Sequence, residues 1–144
     1  MKDIELDDVF FFHIDKMMKI VKEYTLSEFK SHGFPVTKDQ WVILKRISEI
    51  NGSNQKEIAD STFKDPAALT RMLDILEKKG FVKRQLSTED RRTFEIHLTV
   101  DGSRLVNRMI PVVQGIRAKA LQGITNGEEQ QVREVMKKMY SNFN

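Results

Sequence analysis

Apolar residues recur along the chain at two spacings, and the change from one to the other divides it. Over residues 9–29, Val9, Phe10, Phe12, Ile14, Met17, Ile20, Val21, Tyr24 and Phe29 form a broad stripe at helical spacing. The run from Val9 to Ile14 is more apolar than one buried face requires. A helix apolar around most of its girth is usually covered by something else, often a second subunit. Gly33 and Pro35 interrupt the pattern. Thr37 and Gln40 then stand at capping-box spacing before a second helix, whose inner side would carry Trp41, Leu44, Ile47 and Ser48 and which ends at Asn51-Gly52. A short third helix is expected through Ser61, with Asn54 as its cap, Glu57 reaching back, and Ile58 and Ala59 in the core. Asp65 caps a fourth helix and Pro66 fills its first turn. Leu69, Met72, Leu73 and Leu76 form its inward stripe. Lys78 and Lys79 suit its C-terminal dipole, and Gly80 suits the position just past its end.

The period then drops to two. Residues 81–86 and 93–98 read as strands, the second with Phe94, Ile96 and Leu98 facing in and Thr93, Glu95 and His97 facing out. Thr99 is the expected cap of a long helix to about Ile124, kinked at Pro111. Thr125 and Asn126, each followed three residues later by Glu, open a last helix with Val132, Val135, Met136, Met139, Tyr140 and Phe143 on one stripe. An isolated two-stranded hairpin is marginal in water, so this one needs support from the helix before it. Two short helices across a tight turn, the second leading into a hairpin, is the order of a winged helix-turn-helix. The expected fold class is therefore mainly α. A winged helix-turn-helix at residues 35–99 would bind DNA, and long terminal helices at residues 1–34 and 100–144 would form a dimerisation region.

Composition narrows the function. A chain of 144 residues can bury a core without a staple, and the absence of cysteine excludes a disulfide framework, a Cys-based zinc site and a thiol switch. The start, MKDIELDD, lacks the basic and apolar regions of a signal peptide. No apolar run approaches the roughly 20 residues of a membrane span. A soluble, cytoplasmic protein without a membrane role is expected. The formal charge is only +3, but eight basic and five acidic side chains between residues 64 and 92 hold all of that excess. Neither a Gly-rich phosphate loop nor a nucleophile elbow is present. His13, His32 and His97 lack paired ligand spacing, so no metal, cofactor or enzymatic role is expected.

The basic segment suggests how DNA would be read. Ala67, Ala68, Thr70 and Arg71 lie off the core stripe near the start of the fourth helix, where a recognition helix contacts bases. Alanine methyls can pack on thymine methyls, and Arg71 can reach a guanine edge or a phosphate. At the hairpin tip, Arg91 and Arg92 can approach a narrow minor groove. Asp90 is placed to hold Arg92 by a charge-assisted hydrogen bond. Asn54, Gln55 and Lys64 complete the candidate set. The alternative is a winged-helix module for protein contacts, with Arg91 and Arg92 facing an acidic partner.

In combination, three stretches resemble the MarR family of bacterial transcription regulators: Thr37 to Leu44, Asp65 to Arg84, and Asp90-Arg91-Arg92 followed by His97-Leu98-Thr99-Val100-Asp101-Gly102. The resemblance implies an obligate homodimer with interleaved terminal helices, placing two winged helices over successive major grooves of an inverted repeat. It also implies regulation by a small-molecule effector, as a repressor or less often an activator. By position, Thr70 and Arg71 resemble groove and phosphate contacts, and Asp90 and Arg92 the wing pair. Many members carry Ser or Thr where Ala67 and Ala68 stand, which here shifts the weight to apolar contact and Arg71.

Overall fold

Side-chain caps set the starts of five of the six helices in the computed structural model, which describes all 144 residues. After a 3-10 turn at Leu6–Asp8 come α1 (Phe10–Ser31), α2 (Lys38–Glu49), α3 (Gln55–Ser61) and α4 (Pro66–Lys78). Strands β1 (Val82–Leu86) and β2 (Phe94–Leu98) follow, then α5 (Val100–Ala120) and α6 (Asn126–Ser141). Thr37 Oγ1 accepts from the Gln40 amide at 3.1 Å, and the Thr37 amide donates to Gln40 Oε1 at 3.0 Å. Losing such a cap costs about 1 kcal/mol. Asn54 Oδ1 caps α3 through the Glu57 amide at 2.9 Å, but Glu57 does not complete the box with its own side chain. Asp65 caps α4 through the Ala68 amide, with Pro66 as the first helical residue. Of the two boxes offered at α6, Thr125 with Glu128 is the one used. The Thr125 amide, then its hydroxyl, holds the Glu128 carboxyl below its ordinary pKa of 4.5.

The chain divides into two compact units, residues 1–112 and 113–144. The first holds the core. Ile43, Leu44 and Ile47 of α2, Ile58 of α3, and Leu69, Leu73 and Leu76 of α4 are fully buried, as are Ile96 of β2 and Met109 of α5. Each such aliphatic contributes roughly 1.5–3 kcal/mol. Trp41 is also buried, whereas Met72 is only half-buried and Ser48 is exposed, its hydroxyl turned back to the Lys45 carbonyl. In α1 only Thr25 and Phe29 are buried, and Phe29 meets Phe34 edge-on at 5.7 Å. The second unit has no fully buried residue; Met136 and Met139 of α6 are half-covered. The expected helix to Ile124 ends at Ala120, because Gly123 turns the chain at φ +79° just before the next cap. Helix α5 runs through Pro111, and the division between units falls just after it. No helix is long and apolar enough to cross a membrane.

The hairpin is supported from both sides. β1 and β2 are antiparallel, pairing Val82 with Leu98, Arg84 with Ile96, and Leu86 with Phe94. On that face Val82 and Ile96 are buried against the helices, whereas Phe94 is 49% exposed, contrary to the inward position expected for it. Its cross-strand partner Leu86 is exposed too. The distal end of the hairpin thus projects beyond the core that covers its base. Along the other edge of β2, the Gly52 amide donates to the Ile96 carbonyl and the Ile96 amide to the Ser53 carbonyl, both at 2.9 Å. Asn51 Oδ1 accepts from the Leu98 amide at 3.0 Å.

Two tight junctions complete the motif. Helix α4 ends with Gly80 at φ +84°, the Gly80 amide bonded to the Glu77 carbonyl and the Phe81 amide to the Leu76 carbonyl. The Phe81 carbonyl accepts from the Thr99 amide at 3.0 Å, and Thr99 Oγ1 donates to the Gly80 carbonyl at 2.5 Å. Gly102, in the first turn of α5, is packed against the same backbone: a Cβ there would lie 2.0 Å from the Phe81 carbonyl oxygen. Helix α3 ends by the same device as α4, with the Phe63 amide on the Asp60 carbonyl and the Lys64 amide on the Ala59 carbonyl. Here, however, a phenylalanine takes the left-handed position, at φ +44°, with its side chain 94% exposed.

Gly102→Ala is expected to cost about 2–3 kcal/mol, since the obstacle is backbone and cannot rotate aside. Chemical denaturation with an unchanged midpoint would contradict this close approach. Phe63→Gly is expected to stabilise the chain by about 0.5–1 kcal/mol, removing left-handed strain that slightly exceeds glycine's entropic cost. A lowered thermal midpoint for that variant would show that the phenyl ring holds the turn.

Candidate nucleic-acid interface

Helices α3 and α4 form the helix-turn-helix, and their turn is closed from inside. Thr62 is buried and donates from Oγ1 to the Ile58 carbonyl at 2.6 Å. Across the motif, Gln55 Nε2 donates to Thr70 Oγ1 at 2.5 Å, and Thr70 Oγ1 donates to the Pro66 carbonyl at 3.0 Å. Ala67, Thr70 and Arg71 are exposed and Ala68 is half-exposed. Asn54 and Gln55 are half-buried at the start of α3, and the Asn54 side-chain oxygen is used in capping.

The hairpin loop is shaped by short hydrogen bonds from Ser, Asp and Thr side chains. Ser87 Oγ accepts from the Glu89 and Asp90 amides, each at 3.2 Å. The Thr93 amide and hydroxyl both donate to the Asp90 carbonyl. Asp90 Oδ1 accepts from the Arg92 amide at 3.0 Å and from Arg92 Nε at 3.4 Å. The Arg92 side chain remains 92% exposed. Its guanidinium is therefore held at the root and free at the end.

Ion pairs sort the basic segment into spent and available cations. Arg84, on the inward face of β1, bonds Asp74 of α4 at 2.6 Å and lies 4.0 Å from Glu77. It ties the wing to α4, and Asp74 pairs with Arg84 and not with Arg71. Lys64 pairs with Asp39 of α2 at 3.5 Å, and its side chain is only 22% exposed. Lys79 Nζ donates to the Pro35 carbonyl at 2.6 Å. Arg71, Lys78, Lys83 and Arg91 are exposed and make no ion pair. Five of the ten candidates from the sequence are thus engaged with a partner side chain. Gln55 and Thr70 are joined, as are Asp90 and Arg92, and Lys64 is drawn into an internal pair. The brace made by Arg84 was not anticipated, although strand alternation from Val82 places it on the inner face beside α4. Lys78 and Lys83 were not singled out either. No three His, Asp or Glu side chains gather as a metal site.

Residues 36–94 match the model of the MarR family. The whole chain is similar in fold to solved transcription regulators. An uncharacterised SlyA-like transcription regulator from Listeria monocytogenes is 26% identical, with a TM-score of 0.78 over 99% of this chain and 90% of that one. MepR of S. aureus, solved as a DNA complex, is 20% identical, with a TM-score of 0.84 over 93% and 98%. The PcaV regulator of Streptomyces coelicolor, solved with its natural ligand, is 14% identical, with a TM-score of 0.84 over the full length of both chains. The winged helix-turn-helix built by residues 36–94 is the part of the chain that matches the MarR family, and the whole chain shares the fold of these regulators.

Proposed function

We propose that the chain is a homodimeric, sequence-specific DNA-binding transcription regulator, acting in the cytoplasm as an effector-responsive repressor. Residues 35–99 bind DNA, while residues 1–34 and 100–144 serve dimerisation. Helix α4 enters the major groove with Ala67, Ala68, Thr70 and Arg71, and Arg92 enters the minor groove. The carrying observation is the clasp between Asp90 and Arg92 at an otherwise solvated tip. An aspartate beside phosphate is electrostatically unfavourable unless it orients the arginine that makes the contact. The free cations Arg71, Lys78, Lys83 and Arg91 supply further attraction to phosphate. Asn54 and Gln55 flank this surface, whereas Lys64, paired with Asp39, contributes less than its position in the turn suggested. The similar fold of MepR in its DNA complex supports the DNA partner, and that of PcaV with its natural ligand supports a small-molecule effector.

Dimerisation is supported by apolar surface on the terminal helices. Phe10, Phe11, Met17, Ile20 and Leu26 of α1 are exposed, as are Val132 and Tyr140 of α6 and Phe143 beyond it. A second copy of the chain covering these faces gives the two-fold symmetry that an inverted repeat requires, with half-sites about 10 base pairs apart.

Arg92→Ala is expected to weaken operator binding by about 1–3 kcal/mol in a mobility-shift titration. Undiminished binding would remove Arg92 from the groove. Sedimentation of the intact protein at micromolar concentration is expected to give twice the 16.8 kDa chain mass; a stable monomer would refute the dimer.

A further inference from the structure

We propose that Gln55 is a positioning residue for base reading: it holds the Thr70 hydroxyl on the protein, so that Thr70 meets DNA through its methyl and selects thymine. This rests on the DNA-binding reading above and names which base group the helix recognises.

The hydrogen-bond inventory of one hydroxyl carries the inference. A threonine has a single hydroxyl proton. In Thr70 that proton goes to the Pro66 carbonyl, and one lone pair takes the Gln55 amide. No proton is left for the acceptors that guanine presents at O6 and N7, or thymine at O4. The side chain is nevertheless exposed, and the group it retains for a partner is its methyl. Gln55 and Thr70 are 15 residues apart and sit on different helices, so the bond is a brace across the motif rather than a local cap. The residues around Thr70 point the same way. Ala67 and Ala68 offer only methyls, and Arg71 is the one unpaired donor side chain in this part of α4. Helix α4 would thus read by apolar contact at Thr70 and by charge at Arg71. Thymine is the base that presents a methyl in the major groove. The one polar alternative left to Thr70 is to accept from an amino group of cytosine or adenine through its second lone pair.

The test uses full-length protein and duplexes selected from a random pool, with the thymines of each half-site replaced one at a time by deoxyuridine. Uracil keeps the pairing and loses only the methyl. At one position per half-site the swap is expected to weaken wild-type binding roughly fourfold. Thr70→Ser keeps the hydroxyl bonds without the methyl and should bind the thymine and uracil duplexes equally. Thr70→Val keeps the methyl and should retain the preference. Gln55→Ala should bring the ratio toward one with its thermal midpoint little changed, an outcome that a purely structural role for the brace would not produce. Wild-type protein that binds duplex but ignores the swap at every position would overturn the inference and leave DNA binding intact. A preference that persists in Thr70→Ser would do the same. Full discrimination in Gln55→Ala would remove the positioning role. Recovery of no duplex would overturn the DNA-binding reading and this inference together.

Discussion

Three backbone groups at one point hold the winged helix-turn-helix together. The Gly80 and Phe81 carbonyls receive the hydroxyl and amide of Thr99, and Gly102 leaves room for α5 to lie against them. The end of α4, both ends of the hairpin and the start of α5 are thereby fixed to one another. A hairpin tethered only at its own turn would have no reason to keep its angle to α4. Tethered here and braced by Arg84 on Asp74, it moves with the helix. This coupling fixes the wing and α4 relative to each other.

The same segment shows how a small net charge can leave a positive surface. Its acidic residues are mostly occupied: Asp65 with an amide, Asp74 with Arg84, and Asp90 with Arg92. These roles are local and leave little uncompensated negative charge near the exposed cations. Glu89 alone of the five, at the loop tip, has neither an ion pair nor a hydrogen bond to its carboxylate. Internal pairing reduces both signs together, and what remains exposed is positive.

Much of this could be read from the residues because caps and turns are local. Thr37, Asn54, Asp65 and Thr125 each bond an amide within three residues, so spacing alone locates them. The clasp from Asp90 to Arg92 is equally short-range. What escaped depends on where elements end in space. Phe94 alternates correctly with its neighbours yet lies beyond the helices that cover Ile96. Ser48 falls at helical spacing, but no neighbour packs over it. The bonds from Gln55 to Thr70 and from Arg84 to Asp74 span 15 and 10 residues, and only the packed motif brings those side chains together. Phe63 was equally hidden, since nothing in its side chain announces a left-handed backbone.

The strip from Asn51 to Ser53 along β2 also bears on solubility. A two-stranded sheet normally offers two open edges, and open edges recruit strands from other molecules into growing aggregates. Here Gly52, Ser53 and the Asn51 side chain satisfy the outward groups of Ile96 and the outward amide of Leu98. The β1 edge stays open, and it carries Lys83. The wing therefore presents neighbouring copies with less unpaired backbone than a free hairpin would.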